Sequence, residues 1–166
     1  MRTAAGVGMV AALVALPQVA AAEADGPEVS LRYSALVVPF SGAVHGWQAS
    51  VATRPAGGWG WALDGGGYYA EGDAAHALMA GPRYSTRPSR SGVSVFVHLL
   101  AGVAFGDGSA LFLAHPGVGV DFGRHDSVGF SVQTDWPIVT AYGVVAIAPR
   151  VSAGVVYRPG RRREAR

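Results

Sequence analysis

The chain has 166 residues, of which half are hydrophobic, only 14% are charged and none is cysteine. The absence of cysteine excludes a disulfide-stapled scaffold and any Cys-based zinc or redox site. The net charge of +2 reflects a basic tail at residues 161–166, which holds four arginines. The rest of the chain therefore has no basic face for nucleic acid.

The first 22 residues have the features of a secretory signal peptide. Arg2 precedes an apolar run over residues 4–16, and the small residues Ala20-Ala21-Ala22 follow. The run is too short to cross a bilayer as a helix. We therefore expect export, cleavage after Ala22 and a mature chain that begins at Glu23.

After the leader, the chain alternates apolar and polar residues with the period of a β-strand. No segment approaches the ~20 apolar residues that a membrane-spanning helix needs. The longer segments run about 9 to 12 residues, the length of a tilted strand that crosses an outer membrane. Turn signals rich in Gly, Pro, Ser and Asp separate them. In chain order, the pattern predicts eight strands near residues 29–37, 48–51, 59–64, 75–84, 93–103, 111–122, 128–133 and 150–158.

The two faces of these strands differ in chemistry. One parity is apolar and is predicted to face lipid; it includes Val95, Val97, Leu99, Val128, Phe130, Val132, Val151 and Val155. The other parity mixes Gly and Ser with nine polar residues: Arg32, Gln48, Asp64, Arg83, His98, Asp121, Gln133, Asp135 and Arg150. This polar set suits a narrow, paired lumen as well as a solvated face, so parity alone does not separate a membrane barrel from a soluble β-protein.

Two further features favour the membrane barrel. Charge is scarce for a soluble surface. Trp47, Trp59, Trp136 and Tyr157 lie near the ends of predicted strands, where interfacial aromatic residues belong. We therefore predict an all-β, eight-stranded, antiparallel, up-and-down transmembrane barrel over residues 23–160, located in the outer membrane.

Five short blocks in order resemble the bacterial outer-membrane β-barrel domain family, the small barrels related to the OmpA-type membrane domain. They are Gly81-Pro82-Arg83-Tyr84, residues 96–103, residues 117–122, Gln133-Thr134-Asp135-Trp136 and residues 150–157. The resemblance implies an eight-stranded barrel with both termini in the periplasm and a role in integrity, anchoring, adhesion or minor permeability. It implies no reaction. The expected partners are outer-membrane lipid and the barrel assembly machinery, the expected state is a monomer, and the basic tail is a candidate contact for the cell wall.

Arg83, His98, Asp64 and Asp121 all lie on the non-lipid parity. Buried opposite charges must pair to offset desolvation, so we predict an internal network that holds the barrel closed. The alternative is a general base or a proton-gated constriction at His98. No Ser or Cys stands at a defined spacing from this histidine, which favours the structural interpretation.

Metal and enzymatic functions have little support in the sequence. The other histidines, at positions 45, 76, 115 and 125, are dispersed, so neither a metal site nor a cofactor is predicted. A lipid-A-modifying enzyme or protease needs a nucleophile, a histidine and a carboxylate near one rim. The loop-side residues form no such cluster: Ser41, His45, Glu71, Asp73 and Asp107. The prediction is a non-enzyme with a structural, anchoring or minor permeability role, ahead of a surface-binding protein and of an enzyme.

Overall fold

The computed structural model describes residues 24–38, 42–55, 58–70, 73–106, 108–123, 128–141 and 144–159. The predicted signal peptide at 1–22 and the basic tail at 161–166 lie outside these residues. Among the described residues, no helix is long and apolar enough to cross a membrane. The strands are β1 (Ala24–Val38), β2 (Gly42–Pro55), β3 (Gly58–Ala70), β4 (Asp73–Ser85), β5 (Val93–Gly106), β6 (Ser109–Phe122), β7 (Val128–Asp135), β8 (Ile138–Ala141), β9 (Val144–Ile147) and β10 (Arg150–Tyr157).

The strands close into a ring in which all neighbours are antiparallel. Strands β1 to β6 pair in chain order, β6 pairs with β7, and β10 joins β7 to β1. Segments β7 and β8 both pair with β6 and act as one barrel strand interrupted at Pro137. Segments β9 and β10 are separated in the same way at Pro149, because proline has no N–H for a ladder bond. The prediction of an eight-stranded antiparallel barrel is confirmed.

The two ends of the barrel differ in what they connect. The terminal end holds the start of β1 and the end of β10, whose Val29 and Tyr157 are paired. The hairpin end holds the β1–β2, β3–β4, β5–β6 and β8–β9 connections. Continued once around the ring, the pairing register leads from Glu28 to Val38, a stagger of ten residues. Such a stagger tilts the strands, and the tilt lets eight strands close around side chains alone.

The strands extend further toward the hairpin end than the sequence predicts. Strand β2 begins at Gly42, and β8 and β9 were not predicted. In these parts apolar residues occupy both parities, so the alternation that marks a strand is lost. Trp47 and Trp136 consequently lie within the barrel wall, whereas Trp59 and Tyr157 lie beside strand ends as expected.

The outer wall of the barrel is apolar and its interior is charged, the reverse of a soluble protein. Leu99 is 55% exposed, whereas Arg150 is 1% exposed. Of the residues predicted to face lipid, Val132 is half-buried. The others are exposed on the outer wall: Val95, Val97, Leu99, Val128, Phe130, Val151 and Val155.

Candidate functional site: the barrel lumen

The interior of the barrel holds equal numbers of acids and arginines among its described residues. The four acids are Glu28, Asp64, Asp121 and Asp135, and the four arginines are Arg32, Arg83, Arg150 and Arg158; none is more than 5% exposed. All nine residues that the sequence singled out are buried there: Arg32, Gln48, Asp64, Arg83, His98, Asp121, Gln133, Asp135 and Arg150. The formal charges of the acids and arginines cancel, as burial of ionised groups requires.

Asp135 is the hub of a central cluster in the lumen. Its Oδ1 lies 2.7 Å from His98 Nε2, and its Oδ2 accepts hydrogen bonds from Arg150 Nε at 2.8 Å and Gln133 Nε2 at 3.0 Å. Arg150 Nη1 also donates to the Tyr68 hydroxyl at 2.8 Å. Strands β3, β5, β7 and β10 are thereby tied together across the lumen.

Two glutamines extend this cluster to the opposite wall. Gln133 Nε2 donates to Gln48 Oε1 at 3.1 Å, and Gln48 Nε2 donates to Asp64 Oδ2 at 2.5 Å. A glutamine amide both donates and accepts. Gln133 and Gln48 together therefore link Asp135 and Asp64, two acids that would otherwise repel each other. The chain Asp135–Gln133–Gln48–Asp64 thus spans three strands, β7, β2 and β3.

A second cluster lies toward the terminal end and consists of alternating charges. Arg83 Nη2 lies 2.8 Å from Glu28 Oε1 and 3.1 Å from Asp121 Oδ2. Arg158 bridges the same two acids, with Nε 2.9 Å from Glu28 Oε2 and Nη2 3.0 Å from Asp121 Oδ2. The Arg83 guanidinium also stacks 3.8 Å from the centroid of the Phe96 ring. Each arginine therefore joins the same pair of carboxylates.

Glu28 and Arg158 are absent from the predicted set of lumen residues. Arg158 lies on the polar parity of the predicted strand at 150–158, so parity alone identifies it. Glu28 directly precedes the predicted strand at 29–37 and continues its polar parity, so it would be found by extending that strand by one residue. Arg32, which is in the predicted set, is different. Among the described residues its only hydrogen bond runs from Nε to the Ser131 hydroxyl at 3.1 Å, and it forms no ion pair with any of them.

Glycines in β6 leave the space that the lumen side chains fill. A Cβ at Gly117 would collide with the His98 ring and the Asp135 carboxylate, and a Cβ at Gly119 would collide with the Phe96 ring. The small residues on the lumen parity are therefore part of the network.

Toward the hairpin end, the lumen filling becomes apolar. Met79, Leu100 and Leu113 are at most 6% exposed and belong to one cluster, against which Ala104 and Val139 pack. Beyond this cluster a cavity of about 260 Å³ opens at the mouth, which we call the vestibule. Its lining residues are Val44, Tyr68, Asp73, Ala74, Ala75, Ala104, Phe105, Gly106, Ser109 and Leu111.

The predicted candidates for chemistry are scattered. His45 and His76 lie on the outer wall beside Tyr33, Tyr69 and Phe105, and His115 is buried inside. His125 lies outside the described residues. Within the parts of the chain that the structure describes, no three histidine or acidic side chains converge on a metal position. His98 contacts an acid and an aromatic ring, and no hydroxyl nucleophile is among its described partners.

A closed eight-stranded barrel with an apolar wall and a charged lumen is the architecture of a small integral outer-membrane β-barrel protein. Two solved structures of outer-membrane proteins have a similar fold. Neisserial surface protein A superimposes with a TM-score of 0.64 at 17% identity, over 81% of this chain and 98% of that chain. The Yersinia pestis outer membrane protein Ail, in a phospholipid bilayer nanodisc, gives a TM-score of 0.50 at 15% identity, over 79% and 98%. No protein-family model and no curated protein sequence matches the chain.

Proposed function

We propose that the protein is a structural, anchoring barrel of the outer membrane whose lumen is closed to ions and polar solutes along the barrel axis. The observation that carries this proposal is the charge-balanced filling of the lumen by the central and terminal-end clusters. An eight-stranded barrel has an interior just wide enough for side chains to fill it. An ion that passed would have to separate pairs such as Arg83–Asp121, and breaking a buried pair costs about 3–5 kcal/mol.

The same observation argues against an enzyme. A reaction needs its acid, base or nucleophile within reach of a substrate. His98, the best candidate base, is 8% exposed and bonded to Asp135, which is fully buried. We therefore interpret the His98–Asp135 pair as part of the network that holds the strands together.

The proposal includes the route to the membrane. The leader at 1–22 directs export, both termini face the periplasm, and the monomer is inserted by the barrel assembly machinery into outer-membrane lipid. The basic tail at 161–166 is then placed to touch the cell wall. N-terminal sequencing should find Glu23 first, and the protein should fractionate with the outer membrane; retention of Met1, or recovery in a detergent-free soluble fraction, contradicts this route.

Planar-bilayer recordings test the closed lumen. The folded wild-type barrel should give no discrete current steps above the lipid baseline. The comparison variant lacks the terminal-end cluster but keeps the net charge, because it combines Glu28→Ala, Arg83→Ala, Asp121→Ala and Arg158→Ala. This variant should raise conductance if it folds. Regular conductance steps from the wild-type protein would overturn the proposal whatever the variant does.

A further inference from the structure

Strands β6 and β8 separate near the hairpin end. Below this point their register is unbroken, since Gly117 pairs with Asp135 and Ala114 with Ile138. Among the described residues, the pairing ends at Leu113 and Val139, although β6 continues to Ser109 and β8 to Ala141. In the same register Leu111 and Phe112 would face Ala141 and Thr140, and we call this described stretch without ladder pairs the β6–β8 seam.

An apolar groove of about 530 Å³ lies on the outer wall at this seam. Its lining residues are Ala101, Gly102, Val103, Phe112, Leu113, Ala114, Ile138 and Thr140. Small residues at positions 101, 102 and 114 leave the wall thin, and Phe112, 79% exposed, stands beside them. None of the described lining residues is charged.

The inner side of the same wall is apolar as well. Ala104 and Leu111 line the vestibule, while their sequence neighbours Val103 and Phe112 line the groove. The two cavities therefore lie on opposite faces of β5 and β6, next to the seam. Asp73 is the one charged side chain among the described residues of the vestibule lining.

The surroundings of the seam determine which kind of molecule could cross the wall there. Below the vestibule lie the apolar cluster and then the paired charges, which close the axial route. Unpaired strand edges are not tolerated in the hydrocarbon core, so the seam belongs at the level of the lipid headgroups. If both termini lie in the periplasm, as proposed above, the hairpin end faces the outside. A molecule that enters the vestibule from there finds the axial route closed, and the seam is its route into lipid.

We propose that the β6–β8 seam is a lateral passage by which an uncharged hydrophobic molecule moves from the vestibule into the outer leaflet of the membrane. The apolar lining on both sides favours such a molecule, because each Å² of apolar surface moved out of water contributes about 25 cal/mol. The proposal adds to the closed axial lumen, and ion conductance is a separate measurement that does not decide it.

A disulfide across the seam tests the passage, and the chain contains no cysteine that would interfere. The variant Phe112→Cys/Thr140→Cys joins the first residues beyond the last pair of the ladder. The control Val97→Cys/Val118→Cys joins two residues that are already paired across β5 and β6. The probe is N-phenyl-1-naphthylamine, an uncharged dye that fluoresces in membranes and that an intact lipopolysaccharide layer excludes.

Bacteria that display the wild-type barrel should take up the dye several-fold faster than bacteria without it. Oxidation of the seam variant should return uptake to background and reduction should restore it, while the control disulfide has no effect. Ala104→Phe, which narrows the vestibule from inside, should also slow uptake, and Val151→Phe on the outer wall of β10, away from the seam, should not. Heat-modifiable gel migration establishes that each variant is folded. Uptake that equals background in the wild type, or that is unchanged by the oxidised seam, overturns the proposal.

Discussion

The lumen of this barrel has two regions that are built from the same strands and filled in opposite ways. Strand β5 contributes Ser94, Phe96 and His98 to the charged region and Leu100 and Ala104 to the apolar region near the hairpin end. In the charged region every strand is tied to others by hydrogen bonds of defined direction. In the apolar region the contacts are non-directional.

The difference explains where the cavities lie. A buried charge is stable only when its partners surround it, so a charged filling leaves little freedom in the positions of strands. Apolar side chains need no particular partner, and both the vestibule and the outer groove occur where they fill the lumen. We therefore expect the charged region to resist separation of the strands, and the apolar region to be where the wall separates most easily.

The largest loss of stability should follow removal of the hub of the central cluster. Asp135→Ala leaves Arg150 and His98 without their shared carboxylate, and removal of one partner of a buried pair costs about 3–5 kcal/mol. Urea unfolding in lipid vesicles measures the change. The control is Asp73→Ala at the exposed mouth, where the cost should stay within about 0.5 kcal/mol. Equal effects of the two substitutions would show that the charged region does not hold the barrel.

The outer wall should tolerate charge less well at its middle than at the seam. Leu99→Arg or Val97→Arg places a cation in hydrocarbon and should lower the free energy of unfolding by about 2–4 kcal/mol, whereas Phe112→Arg near the hairpin end should cost about 0–1 kcal/mol. The same unfolding assay in vesicles applies. A neutral effect at both central positions would mean that the wall faces water.

The sequence predicts the charged region well because polar and apolar residues alternate there. Arg83 and Asp121 each stand between apolar neighbours, so parity places both inside. Which acid meets which base was not predictable, because His98 and Asp135 are 37 residues apart on strands that are not neighbours. The apolar region was missed for another reason, since Leu99 and Leu100 face opposite ways with the same chemistry.

A smaller effect should follow when the charged region is overfilled. Gly117→Ala places a methyl group against His98 and Asp135, and such overpacking typically costs about 1–3 kcal/mol. Gly65→Ala is the matched control, because its Cβ would only make ordinary contacts at 3.8 Å and 3.9 Å with Ala77 and Leu78. Thermal unfolding in detergent, followed by gel migration, compares the two. Similar midpoints of thermal unfolding for the two variants would indicate that the lumen beside Gly117 has room for a methyl group.

The subtlest test measures the coupling between Arg83 and Asp121, which lie 3.1 Å apart in the terminal-end cluster. Arg83→Ala alone leaves Asp121 with Arg158, and Asp121→Ala alone leaves Arg83 with Glu28, so each single variant keeps two of the four ion pairs but unbalances the cluster. The double variant removes one charge of each sign and restores the balance. Its loss in free energy of unfolding should therefore be smaller than the sum of the single losses by about 0.5–3 kcal/mol. Strictly additive losses would mean that the two charges are independent. An Arg83→Ala variant with unchanged heat stability but new conductance would show that this cluster gates a pore instead of closing the barrel.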